Sequence, residues 1–289
     1  MERTKKFLVF FLALVLVFGV LGLAGCNGED EKTDEGTEEK AEGIRSVDDL
    51  KDGDKVGVQS GTTGEQWARE NLETEGIEVV VYDDILAAFA ALQAGDVVGV
   101  INDIPISLDI AKDPARGVEV VQEIQTDENY GFGFNKENTA LRDAVNWALA
   151  EVIASGEYDT IYEKWFAEKP MSIPAAEATA EEPADAPKTL TSGKILIGSD
   201  TAYPPFENVE DGETVGFDVD MMKAIGEKLG LEIEFKTYKF DALITGLQSG
   251  TEFDMTASAM TINDDRKQSI DFSNPYISSN QSLAVKKAE

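Results

Sequence analysis

The sequence predicts an α/β protein built from two similar lobes, and three observations carry that expectation. First, short apolar segments alternate with amphipathic ones in two blocks, the pattern of strand–helix units. Second, the blocks share a plan. DDILAAFAALQAGDVVGVIND (83–103) and KFDALITGLQSGTEFDMTASAM (239–260) each pass from an acidic start through a helix ending Leu-Gln-small-Gly into a strand. Third, an Ala/Glu-rich segment, 167–193, separates the blocks and holds four of the nine prolines, so it reads as an extended connector.

The N-terminus reads as targeting sequence. Basic MERTKK leads into the apolar run FLVFFLALVLVFGVLGLAG, which ends at Leu23-Ala24-Gly25-Cys26. Small residues before a cysteine fit a lipoprotein signal peptide over residues 1–25, with Cys26 as the lipid-bearing first mature residue. An uncleaved membrane anchor is the alternative. Residues 26–43 hold eight acids, lack large apolar side chains and read as a disordered stalk. Either reading puts the rest of the chain outside the cytoplasm, tethered to a membrane.

Composition removes several function classes. The net charge of −31 opposes nucleic-acid binding, which needs a basic face. Histidine is absent, excluding His-based catalytic triads and most zinc sites, and a lone cysteine makes no internal disulfide. No metal or cofactor is expected.

In chain order, strands are predicted at KVGV (55–58), EVVVY (78–82), VVGVI (97–101) and VEVV (118–121), with helices at 63–72, 85–95 and 105–113. The second block gives strands at KILIGS (194–199), EIEFKTY (232–238) and FDMTAS (253–258), with helices at 218–230 and 240–250. Ligands in open α/β sheets bind beyond the carboxyl ends of strands, so the default site is a cleft between the lobes.

Candidate site residues sit at those ends. In TASAMTINDDRKQSIDFSNPY (256–276), Thr261 opens a short helical stretch that carries Arg266, and a hydroxyl beside a guanidinium suits a carboxylate. A capping threonine and a surface arginine are the plainer alternative. In VGVQSGTTGE (56–65), Thr62 and Thr63 lie at a helix start whose free N–H groups favour an anion, or serve as an ordinary cap. Asp103 ends a strand before Ile104-Pro105 and either caps the next helix or binds an ammonium. Asp200 ends a strand in GSDTAYPPFE (198–207), near Tyr203, and Tyr203 with Phe240 can flank a ligand side chain; each ring is otherwise core. An arginine, a helix start and an aspartate complement an α-amino acid.

These segments resemble the amino-acid-binding extracytoplasmic solute receptors of ABC transporters, of the type II periplasmic-binding-protein fold. GSDTAYPPFE, GFDVDMMKAIG, DALITGLQSG, MTINDDRKQSIDFSNPY, VQSGTTGE and VINDIP carry the resemblance, which spans Ile44 to Glu289 apart from the connector. The order differs from the family's: the blocks similar to its C-terminal half come first. The resemblance thus implies a circular permutation. Residues 44–133 would form the smaller lobe 2, and 134–166 the family's C-terminal helices, packed on lobe 1. Residues 167–193 would form the permutation linker, and 194–289 lobe 1, ending in a hinge strand at SLAVKKAE (282–289). The other crossing falls near YGFGFN (130–135).

It further implies that Arg266, Thr261 and the Thr63 N–H bind a ligand carboxylate, and that Asp103 with a carbonyl near Ser258 takes the ammonium. Asp200, Gln59 and Asn102 would meet the far end of the side chain. Ala259 stands where many relatives carry glycine, which narrows the room by the ligand's Cα. With no cation facing the side-chain pocket, an amide or cationic L-amino acid is expected. The implied protein is a monomeric binding protein that hands its ligand to an ABC permease. A prephenate or arogenate dehydratase on the same fold and a sensory ectodomain are the alternatives.

Overall fold

The computed structural model describes residues 43–166, 182–184 and 187–288. The signal peptide, Cys26, nearly all the stalk and most of the linker lie outside them. Among the described residues, no helix is long and apolar enough to cross a membrane.

The first block forms β1 (Lys55–Gln59), α1 (Thr63–Asn71), β2 (Glu78–Tyr82), α2 (Ile85–Ala94), β3 (Gly99–Asp103), α3 (Ile104–Ala111) and β4 (Val118–Tyr130). It continues through β5 (Gly133–Phe134), α4 (Thr139–Ala154) and α5 (Glu157–Phe166). The second block forms β6 (Lys194–Ser199), β7 (Ala202–Tyr203), β8 (Glu207–Glu210), β9 (Glu213–Val215), α6 (Phe217–Leu229), β10 (Glu232–Thr237) and α7 (Leu243–Ser249). It ends with β11 (Met255–Thr256), α8 (Asp264–Ser269), β12 (Asp271–Phe272) and β13 (Ile277–Lys286).

Lobe 2 is a sheet in the order β2-β1-β3-β13-β4, and lobe 1 one in the order β10-β6-β11-β5-β12. Within lobe 2, β1 pairs in parallel with β2 and β3, and Val56, Val58 and Val100 are fully buried, as a sheet covered on both faces requires. α2 starts where the Asp84 side chain accepts from the Ala87 N–H (2.9 Å) and stops at Gly95, whose left-handed φ of 85° suits glycine. A three-stranded sheet, β7-β8-β9, begins within GSDTAYPPFE; its short strands carry no apolar run to announce them.

The chain crosses between lobes twice. It leaves lobe 2 at Tyr130 and enters the lobe 1 sheet at Gly133; it leaves lobe 1 at Phe272 and returns as β13 from Ile277. Here the structure corrects the expected boundary at residue 289. β13 lies between β3 and β4, bonded to both, so residues 277–286 belong to the centre of the lobe 2 sheet rather than to the end of lobe 1. The apolar members Leu283, Ala284 and Val285 explain the placement, since a central strand buries both faces.

Helices α4 and α5 pack on α6, joined by an aromatic cluster. Phe217 meets Tyr158 edge-on (5.9 Å, 87°), and Phe166 lies 5.4 Å from Phe206. Each such pair contributes about 0.5–1.5 kcal/mol beyond its buried area. The cluster ties the last described helix before the linker to GSDTAYPPFE and to α6 beyond it.

Candidate functional site

The loops at the carboxyl ends of β1, β3, β6 and β11 meet between the lobes. Thr62 caps α1 in the ordinary way: its side chain accepts from the Glu65 N–H (3.1 Å) and donates to the Gln59 carbonyl (2.8 Å). Thr63 is the first residue of α1, where helix geometry leaves N–H groups without partners inside the helix.

Opposite lies the loop after β11. Thr261 does not open the helix, contrary to the sequence expectation. α8 begins at Asp264 and is capped by Asn263, whose Oδ1 accepts from the Arg266 N–H (2.8 Å). Thr261 instead bridges to Tyr130 on the hinge. Nor is Arg266 a surface residue. It is 7% exposed, and it donates to the carbonyls of Thr261 (2.8 Å) and, across the cleft, Gly61 (3.1 Å). Its guanidinium lies 5.3 Å from the Phe240 ring centroid, a cation–π arrangement. Burial lowers its pKa, opposed by the charges of Glu128 and Asp103.

Asp103 precedes α3 but does not cap it. Its carboxylate accepts from the Tyr130 hydroxyl and from Gln281 Nε2, both on the hinge strands. Burial, then the nearby Glu128 charge, pushes Asp103 up to about 7, with the hydrogen bonds opposing.

The remaining expected residues fall into two groups. Gln59, Thr62, Thr63, Asp103, Tyr203, Phe240, Ala259, Thr261 and Arg266 line one cavity between the lobes. Asp200, Asn102 and Ser258 stand behind that lining. Asp200 accepts from Gln59 Nε2 (2.5 Å), Asn102 Oδ1 accepts from the Tyr203 hydroxyl (3.1 Å), and the Ser258 hydroxyl donates to Glu207 (2.7 Å). Burial pushes Asp200 up to about 6, with the Gln59 hydrogen bond opposing. Ala259 has φ 43°, a left-handed conformation strained for alanine and free for glycine. Backbone conformation, as well as room, therefore favours glycine at this position.

The cavity measures ≈ 10 Å³, about the space of one water, so anything larger enters only when the lobes part. Just outside, a groove of ≈ 270 Å³ opens to solvent and shares Thr62, Thr63 and Arg266 with it.

Sequence reading missed three residues. Glu128 on β4 accepts the hydroxyls of Thr63 (2.8 Å) and Thr261 (2.5 Å) on one oxygen, and Thr126 (2.9 Å) and Gln281 Nε2 (2.8 Å) on the other. Tyr130 and Gln281 reach Asp103 from the hinge. The only signal was the polar character of TDENY and NQS inside otherwise strand-like segments. Among the described residues no cluster of carboxylates or cysteine could hold a metal ion.

Parts of the chain are similar to known amino-acid-binding proteins. The arginine-binding extracellular protein ArtP of Bacillus subtilis (strain 168) is 40% identical over 94 residues, covering 32% of this chain and 36% of ArtP. The L-cystine-binding protein TcyJ of Escherichia coli (strain K12) is 34% identical over 165 residues, 57% of this chain and 56% of TcyJ. The crystal structure of the arginine-, lysine-, histidine-binding protein ArtJ from Geobacillus stearothermophilus shows 48% identity over 29% of this chain and 36% of that one, with a TM-score of 0.28. The chain thus spans between about a third and just over half of the curated relatives it matches. The family described as bacterial extracellular solute-binding proteins, family 3, matches residues 35–168 and 195–289, most of the sequence. The chain belongs to the bacterial extracellular solute-binding proteins of family 3.

Proposed function

We propose that this protein captures an L-amino acid with a cationic or amide side chain between its lobes and delivers it to an ABC permease. One observation carries the reading: Arg266 from lobe 1 and Asp103 from lobe 2 line the same buried cavity, with the α1 N-terminus beside them. A zwitterion needs that pairing. The guanidinium and the Thr63 N–H take the carboxylate, and Asp103 takes the ammonium.

The side-chain preference follows from what remains unpaired. Gln59 is 1% exposed, and its Oε1 has no donor among the described residues, while Asp200 stands next to it. A guanidinium, ammonium or amide side chain supplies donors to both; a carboxylate would add a third acceptor. Relatives that bind arginine and cystine support a polar ligand. Because contacts come from both lobes, binding favours the closed arrangement about the hinge.

The chain would work outside the cytoplasm, held by lipid on Cys26, as a circular permutant of the family order. The two separately matched segments and the return of β13 into the lobe 2 sheet support the permutation. A thermal-shift screen against the twenty amino acids tests the function. Arginine, lysine or glutamine should raise the melting temperature and glutamate should not, and Arg266→Ala should abolish the shift. A response to glutamate alone would overturn the side-chain assignment.

A further inference from the structure

The hydroxyls of Thr63 and Thr261, which line the cavity with Arg266, are already committed. Thr63 Oγ1, from lobe 2, and Thr261 Oγ1, from lobe 1, both donate to the same oxygen of Glu128. Each hydroxyl has one proton, so neither can donate to a ligand carboxylate while these bonds stand. Glu128 itself is 8% exposed, and its other oxygen accepts from Thr126 and Gln281 on the hinge strands. Two other buried side-chain bonds cross the cleft, Gln59 Nε2 to Asp200 and the Tyr203 hydroxyl to Asn102 Oδ1, but neither gathers donors from both lobes on one oxygen. Ser60–Asp241 and Lys239–Asp84 are solvent-exposed, where screening leaves such pairs worth little.

We propose that Glu128 is an interlobe latch. Its carboxylate collects one hydroxyl from each lobe, so both bonds form together only when the lobes close. Thr63 and Thr261 then contribute to binding through Glu128, and the ligand carboxylate is left to Arg266 and backbone N–H groups. Glu128 is thus a positioning residue that sets the closing equilibrium. Gly64 accommodates the arrangement: a Cβ there would lie 2.8 Å from Gln281 Oε1, and Gln281 is the donor that orients Glu128 from below.

The proposal rests on the amino-acid reading for one of its two tests only. In the first, hydrogen exchange is followed on the full chain without added amino acid. Glu128→Ala and Thr63→Val should each speed exchange in both cleft-facing segments, 60–66 and 258–263, and the double variant should add little to either. Glu128→Gln keeps one acceptor oxygen and should fall between Glu128→Ala and the parent, which guards against a variant that merely unfolds. In the second, affinity for L-arginine is measured by calorimetry. Each single variant should weaken binding by about tenfold, and the pair by about tenfold rather than a hundredfold, because both remove the same bond. Additive losses would mean that the Thr63 hydroxyl binds the ligand itself, and would overturn the latch. Exchange unchanged in Glu128→Ala would overturn it as well. If the parent protein binds no arginine, the ligand assignment fails and the exchange result alone judges the latch.

Discussion

Two pairs of buried acids lie within this protein, and they are solvated in opposite ways. Asp103 and Glu128 stand between the lobes, and donors from strands, hinge and helix converge on them: Tyr130, Gln281, Thr126, Thr63 and Thr261. Glu207 and Asp218 lie wholly inside lobe 1, beneath the Ser258–Ala259 turn. Glu207 accepts from the Ser258 hydroxyl (2.7 Å), and Asp218 accepts from the Ala259 N–H (3.0 Å) and the Tyr276 hydroxyl (2.8 Å). Yet Glu207 Oε2 and Asp218 Oδ1 find no donor among the described residues. Donors, rather than burial, separate the pairs: both oxygens of Asp103 and of Glu128 accept a hydrogen bond, whereas Glu207 and Asp218 each keep one oxygen without a donor among the described residues.

The sharpest test of that contrast is deletion. Asp218→Ala strands the Ala259 N–H and the Tyr276 hydroxyl, and loosens a turn already strained at Ala259. It should reduce unfolding stability by about 3 kcal/mol or more, read from denaturant titration. Asp103→Asn should cost far less. Asparagine keeps an acceptor for Tyr130 and removes a desolvated charge, but its N–H faces Gln281 Nε2, so ligand-free stability should fall by less than about 1 kcal/mol. Arginine affinity should fall by roughly 1.5–3 kcal/mol, the worth of a charge-assisted bond. Equal stability losses in the two variants would erase the distinction between the pairs.

The next effect is a pair of opposed pH dependences. Burial, first of all, raises Asp103 to about 7 and Asp200 to about 6, above the roughly 3.9 of an unfolded aspartate. The folded chain therefore holds these protons more tightly. Ligand-free stability should rise as pH falls from about 8 to about 5.5, since a raised folded pKa disfavours the ionised, high-pH form. Ammonium capture needs Asp103 ionised, so arginine affinity should weaken over the same window, on the order of tenfold. Melting temperature and calorimetry on one pH series check both signs. Slopes of the same sign would show that Asp103 does not receive the ammonium.

Much of this architecture is visible in the sequence, because apolar periodicity reports it. KILIGS and EVVVY are strands with the expected ends, and the Leu-Gln-small-Gly pattern closes α2 and α7 where glycine takes a left-handed turn. Asp103 at the end of β3 and Arg266 in the short helix α8 stand out in the sequence by their charge, and the fold brings both to one cavity. What escaped is what depends on partners distant in the chain. Glu128 reads as one more of the chain's 56 acids, and only the fold brings hydroxyls 65 and 133 residues away onto one oxygen. The return of β13 is similar: SLAVKKAE has the composition of a strand but nothing that names its neighbours.

The smallest expected effect is the most discriminating for the lobe 1 pair. Burial raises both Glu207 and Asp218, and the Asp218 charge raises Glu207 further, well above the ordinary carboxylate range. A proton kept on Glu207 would relieve its burial as a charge and its repulsion by Asp218. Glu207→Gln imitates that state: its carbonyl still accepts from Ser258, and its amide is neutral like the protonated acid. The change should therefore alter stability by less than about 1 kcal/mol at neutral pH, whereas Glu207→Ala opens a hole and leaves Asp218 alone. Infrared difference spectra give an independent reading, since a protonated carboxyl absorbs apart from a carboxylate and its band should vanish in Glu207→Gln. If glutamine proves as damaging as alanine, or the parent shows no such band at pH 7, Glu207 is ionised and the two acid pairs are not opposites after all.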